Sequence, residues 1–298
     1  SVPYTEEEVT QALDLMIPVP YNRPGTFDDV TYAFLPAGHI PGSSSDYAEI
    51  NGTKVLYTGD ICLNDSKLLA KASYVLDDVD IVITEGTYGD RNHPSRKAEE
   101  KRFLQSVRTV IESGGSVIVP VFAVGRAQEL MMILAQEEFD VPMYLDGMAR
   151  QVSAILLKKP ETLRDGTAFR EACKKFQFVK SLNKRKKIAQ QPGIFVTTSG
   201  MVEGGPVLEY IKHMYAKKNN ALFATGYQDP ESNGYKLLHG DKIEVDRQVI
   251  SWRGSIDKFD FSAHAGQTDL IDFIKKLHPK HVIIQHGDEE ACLTLQKE

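Results

Sequence analysis

The feature that most narrows the folds open to this chain is its alternation of short Val- and Ile-rich runs with longer stretches of helical periodicity. Apolar runs of this kind mark strands buried on both faces, whereas apolar residues spaced by three and four mark helices that cover them. Strands are predicted at VTYAFL (30–35), YAEI (47–50), KVLYT (54–58), DIVIT (80–84), SVIVPVF (116–122), GIFVTT (193–198), ALFAT (221–225) and HVIIQ (281–285). The Asn51-Gly52 pair between two of them signals a hairpin. Helices are predicted over 96–113, 125–138, 147–159, 205–217 and 267–277. The expectation is an α/β protein.

What stands just past the strands is informative. KVLYT leads through Gly59 to Asp60, DIVIT runs into Glu85, and HVIIQ runs into His286, while His39 lies in a glycine- and proline-rich loop, LPAGHIPGSSS (35–45). Open α/β sheets place their sites at strand ends, and these are ligand-capable side chains. Imidazole and carboxylate are what zinc takes when no thiolate is offered, so His39, Asp60 and His286 are candidate metal ligands. Each alone is equally compatible with a turn or a helix cap.

Composition bounds the class. The chain has 298 residues, 42% of them hydrophobic, enough to bury a sizeable core in one large or two smaller domains. No run approaches the roughly 18 apolar residues of a membrane span, so a cytoplasmic protein with no membrane partner is expected. Cys62, Cys173 and Cys292 are odd in number and far apart, which fits packing residues in a reducing compartment. Charge is unevenly divided. Residues 1–90 hold 4 Lys/Arg against 15 Asp/Glu, residues 91–260 hold 27 against 20, and residues 261–298 hold 4 against 6. A basic middle of this kind attracts a polyanion, and acidic flanks suit metal or acid/base work. The run Asn183-Lys184-Arg185-Lys186-Lys187 reads as a solvated face.

The ordered segments LPAGHIPGSSS, YTGDI, ITEGTYGDR, FSAHAGQ and IIQHGDE, with PVFAVGRAQE and VTTSGMVEGGPVLEY between them, resemble the beta-CASP nucleases of the metallo-beta-lactamase superfamily over nearly the whole chain. That group includes the endonuclease subunit of the cleavage and polyadenylation specificity factor, its archaeal and bacterial relatives, and ribonuclease J. The resemblance implies a partial metallo-beta-lactamase αββα sandwich from residues 1–90 and 261–298, with an inserted α/β beta-CASP domain at 91–260. It implies two zinc ions per full-length chain. His39 would be a ligand of one, Asp60 the carboxylate bridging both, and His286 a ligand of the other. It makes Glu85 and His264 a catalytic pair, in which His264 protonates the leaving oxygen and Glu85 orients it. Arg126, Ser199 and Gly200, at two strand-to-helix turns, are the implied contacts to RNA phosphates.

The family's H-x-H-x-D-H motif, which supplies four further ligands, is absent from this sequence. Because residue 1 is Ser and the sequence begins inside the first domain, the expected reason is truncation or processing, and the fragment alone is expected to be inactive with an incomplete metal site. The implied function is a zinc-dependent ribonuclease cutting single-stranded RNA in 3′-end processing, maturation or decay, working as a homodimer or in an RNA-processing complex. The alternative is a catalytically inactive RNA-binding subunit of such a complex.

Overall fold

The computed structural model describes residues 3–76 and 78–298; Ser1, at which the sequence begins, lies outside them. The first part of the chain forms α1 (Glu6–Asp14), β1 (Gly25–Phe27), β2 (Val30–Pro36), β3 (Ser44–Ile50), β4 (Thr53–Tyr57) and β5 (Ile81–Glu85). The middle forms α2 (Arg96–Glu112), β6 (Val117–Pro120), α3 (Arg126–Leu134), β7 (Met143–Asp146), α4 (Ala149–Lys158), α5 (Gly166–Lys174), β8 (Phe176–Phe178), α6 (Leu182–Ile188), β9 (Ile194–Thr197), α7 (Pro206–Met214), β10 (Ala221–Ala224), α8 (Asn233–Leu238), β11 (Ile243–Val245), β12 (Gln248–Ile250) and β13 (Ser255–Lys258). The chain closes with α9 (Gln267–Leu277), β14 (His281–Gln285) and α10 (Glu289–Gln296). Among the described residues no helix is long and apolar enough to cross a membrane.

Two six-stranded sheets result, ordered β1-β2-β3-β4-β5-β14 and β13-β10-β6-β9-β7-β8. In the first, β1 to β4 form an antiparallel meander turned at Asn51 and Gly52, both with positive φ, and β5 and β14 then add in parallel. The chain leaves this sheet after β5 and returns to it only at β14. The strands between build the second sheet, all of it parallel, except β11 and β12, which pair antiparallel as a two-stranded sheet of their own.

The second sheet is buried on both faces, as its uninterrupted apolar strands require. Successive residues of its central strands feed opposite cores. Val117, Val119, Met143, Leu145, Ile194 and Val196 enter one, with Phe103, Val107 and Val110 of α2. Ile118, Tyr144, Phe195 and Leu222 enter the other, with Val207, Tyr210, Ile211 and Met214 of α7. The helical residues recur at three and four, the stripe that faces a sheet. The first sheet is covered more thinly, with Leu35, Leu56 and Val82 packing against Leu277 and Phe273 of α9, while Tyr57 and Ile283 stay exposed.

The basic run at 183–187 is not all solvated. It begins α6, and Arg185 reaches back to the buried Asp146 at the end of β7 with bonds of 2.7 and 2.9 Å. A charge run read from sequence conceals a member whose partner lies 39 residues away.

Strand direction sets the position of the site. β2, β4, β5 and β14 all point the same way, since β3 reverses the meander and the other pairings are parallel. Their carboxyl ends therefore share one edge. That edge faces the segments that follow β6, β10 and β13, leaving adjoining cavities of about 400 and 650 Å³ whose walls both include His39, Arg126, Asp260 and His264.

Candidate functional site

Each expected side chain on the first sheet stands at a strand end. His39 follows β2 through Gly38, whose φ is +72° and where a Cβ would lie 2.8 Å from both Ala72 N and Cys62 O. Only glycine fits that turn, and the turn presents His39 to the cleft. Asp60 follows β4, Glu85 ends β5, and His286 follows β14 in a left-handed conformation, φ 53°.

Asp60 is central. Its Oδ2 lies 3.6 Å from His39 Nε2 and its Oδ1 lies 3.3 Å from His286 Nε2, so the two oxygens of one carboxylate face two different imidazoles. His39 Nδ1–H donates to the Ala263 carbonyl at 3.0 Å, which fixes the ring and leaves Nε2 for the cluster. Ligating histidines are held in this manner, by a second bond from the nitrogen away from the metal. Burial pushes the His39 imidazole below its usual value, with the neighbouring His264 adding to the effect against the Ala263 bond and Asp60. A neutral imidazole is the form that ligates. The donor set, imidazole nitrogens around carboxylate oxygens with no thiolate, fits zinc.

The tightest group of three ligand atoms is His39, Asp60 and His264, all within 4.8 Å of one another, rather than the expected set with His286. His264 joins because its ring lies 4.6 Å from that of His39, while His286 meets Asp60 through the other carboxylate oxygen, its ring 6.3 Å from that of His264.

Glu85 and His264 are brought together across 179 residues. His264 Nδ1–H donates to Glu85 Oε2 at 2.7 Å, and Glu85 Oε1 accepts from Ile61 N–H at 2.7 Å. Burial alone would push the Glu85 carboxyl up. The bond and charge of His264, with Thr87 and Ile61, more than offset it and hold the carboxyl below its ordinary value. A buried, ionised carboxylate with both oxygens engaged fixes which His264 nitrogen faces Glu85, leaving Nε2 for the cleft.

A second imidazole–carboxylate pair, not anticipated from the sequence, braces the loop that carries His264. His93 Nδ1–H donates to Asp260 Oδ2 at 2.9 Å, Ser262 N–H donates to Asp260 Oδ1 at 3.0 Å, and Asp260 N–H donates to Glu99 Oε1 at 2.7 Å. The sequence clue was His93 in TYGDRNH, eight residues past Glu85, but nothing local pointed to Asp260.

Of the expected phosphate contacts, Arg126 reaches the cleft and the other two do not. Arg126 opens α3, and its buried Nη1 has no hydrogen-bond partner among the described residues. Burial, with Arg96 nearby, pushes its guanidinium down to about 10. Ser199 Oγ accepts from the N–H groups of Glu203 and Gly204, organising its own loop. Gly200 is buried against the backbone of Val121 and Phe122. Neither lines the two cavities.

A buried histidine–glutamate pair beside a histidine–aspartate cluster, at the edge where the two sheets meet, is a layout suited to a metallo-hydrolase, and the relatives of this chain agree. Residues 127–237 match the family described as Beta-Casp domain, and residues 249–298 match the one described as Zn-dependent metallo-hydrolase RNA specificity domain. The chain is 40% identical over 302 residues to the probable RNase MJ4 of Methanocaldococcus jannaschii, covering 99% of this chain and 71% of that protein. It is 34% identical to the RNase aCSPSF2 of Saccharolobus solfataricus, covering 98% of this chain and 60% of that protein. Against the transcription termination factor FttA of M. jannaschii identity is 33%, covering 98% and 50% respectively. The chain belongs to the beta-CASP nuclease family of the metallo-beta-lactamase superfamily.

Proposed function

We propose that the whole protein is a zinc-dependent ribonuclease that hydrolyses phosphodiester bonds of single-stranded RNA in 3′-end processing, maturation or decay. The observation that carries this reading is Asp60, which presents one oxygen to His39 and the other to His286, beside a second histidine oriented by a buried glutamate. The relatives named as RNases support RNA as the substrate. The division into residues 1–90 with 261–298, and 91–260 as the cap over the site, is part of the proposal, supported by the membership of the two sheets.

In this reading His39, Asp60 and His286 hold zinc, two ions per whole protein, and zinc supplies Lewis-acid stabilisation of charge on the phosphoryl oxygens. The chain's own residues do the rest. Glu85 fixes His264 through Nδ1–H, so that Nε2 is the atom able to pass a proton to the departing ribose oxygen. Arg126, lacking a partner for Nη1, takes a non-bridging phosphate oxygen.

Zinc content by elemental analysis of the whole protein tests the ligand assignment. Asp60→Ala is expected to remove at least one zinc per chain and to lower RNA cleavage by orders of magnitude. Full zinc content in that variant would show that Asp60 bridges nothing.

A further inference from the structure

The larger cavity contains something the metal cluster does not use. Phe122 and Tyr227 line it together, and they remain 38% and 48% exposed. Single exposed aromatics are common on protein surfaces, but two in the wall of one cleft are not scattered. Phe122 is also held in place. It lies past the end of β6, where a Cβ on Gly200 would come within 3.0 Å of its N and 3.3 Å of its Cδ1, and a Cβ on Gly226 within 3.1 Å of its Cε2. The loops after β9 and β10 thus contribute the residue that leaves room for this ring, and Gly226 also lies against Arg126.

The surroundings point to a ligand with a π-face and a negative backbone. Arg91, Arg126 and Lys258 share the cavity wall, and Arg91 lies 4.6 Å over the Tyr88 ring on the side of the first sheet. The carboxylates nearby are already engaged: Asp260 by His93 and Ser262, Glu99 by Arg102 and Asp260 N–H. With those carboxylates occupied, recognition here would rest on stacking, which every base can supply.

Resting on the ribonuclease reading above, we propose that Phe122 and Tyr227 form a base-stacking platform at the mouth of the cleft, which seats nucleobases of single-stranded RNA without sequence preference while Arg126 and His264 meet its backbone. Losing one base stacked on an aromatic side chain lowers affinity about tenfold, which sets the scale of the effect.

The test is fluorescence anisotropy with a labelled oligoadenylate and the same ribose-phosphate strand carrying abasic sites, both titrated with the whole protein. Phe122→Ala and Tyr227→Ala are each expected to weaken oligoadenylate binding about tenfold and abasic-strand binding less than twofold. Tyr227→Phe should bind like the parent, and Phe122→Leu, which keeps the slot filled but removes the π-face, should behave like Phe122→Ala. Thermal unfolding confirms that each variant is folded, and Tyr227, nearly half exposed, provides a reading independent of the Phe122 slot. Alanine variants that bind oligoadenylate like the parent would overturn the platform, as would an equal loss on the abasic strand. A parent that binds neither strand would overturn the ribonuclease reading itself.

Discussion

Two buried groups show how differently single residues act in this molecule. Asp146, at the end of β7, accepts from Arg185, from the Tyr210 hydroxyl at 2.8 Å and from Gly147 N–H at 2.6 Å, so a buried charge is fully met. Removing one member of such a network strands the others. Asp146→Ala is expected to lose about 3–5 kcal/mol in urea unfolding, and a loss under about 1 kcal/mol would mean that solvent reaches Arg185 and Tyr210. Arg126 is the reverse case, a cation whose Nη1 is buried without a partner. Because its folded value is depressed to about 10, folding disfavours its charge at every pH below that, and the cost lifts only as pH rises through it. Arg126→Met is therefore expected to raise the melting temperature at neutral pH while weakening RNA binding about tenfold. A variant that melts lower would show that Arg126 serves the fold rather than a ligand.

Elements with strong periodicity were legible from sequence. The predicted helix over 267–277 coincides with α9 and the predicted strand over 281–285 with β14, while 96–113 overlaps α2 to within a residue. The parallel strands β6, β9 and β10 were found because burial on both faces leaves no polar residue to break the run. β7, β8 and β13 were not. They are three or four residues long, and their pairing partners are non-local, so nothing in their own composition marks them. The run SVIVPVF predicts Phe122 as the last residue of a strand, yet β6 ends at Pro120 and Phe122 lines the cleft. The site divides in the same way. His39, Asp60, Glu85, His264 and His286 were legible as strand-end or motif residues. The pairing of His93 with Asp260 was not, because it joins positions 167 apart with no shared pattern. Alternation within β9 gives a test at this scale. Phe195 stacks 5.1 Å from Tyr144 and 4.8 Å from Tyr210, so Phe195→Ala is expected to cost about 3–5 kcal/mol. A loss below about 1 kcal/mol would place that face of the sheet outside the core.

At the scale of the molecule, two sheets turn their carboxyl ends toward one cleft, and side chains from both stitch it. Arg96 bonds Glu129, whose oxygens also accept from Lys67 and Leu68 N–H at 2.9 and 2.7 Å, tying the loop after Asp60 to α3. Glu85, Glu99 and Asp260 line or brace the cleft. For each, burial would raise the carboxyl, but hydrogen bonds from His264, Arg102 and His93 respectively hold it below its ordinary value. Depressed carboxyl groups contribute stability above their unfolded values, near pH 4, and that contribution is lost as pH falls through the folded values. The depressed His39 imidazole costs stability as pH falls below its ordinary value of about 6.5, so melting temperature should decline gently from neutral pH to about 5 and fall more steeply below about 4, and an unchanged value at pH 3 would contradict the assigned bonds.

The proposed role of the Glu85–His264 pair is proton transfer, with zinc held by His39, Asp60 and His286. It is tested most directly by His264→Ala in the whole protein, with zinc content and cleavage of single-stranded RNA measured on one preparation. The expected result is zinc content like that of the parent with cleavage reduced by orders of magnitude. Cleavage at the parent's rate would remove His264 from the reaction, and loss of zinc with cleavage would make it a ligand instead of a proton donor.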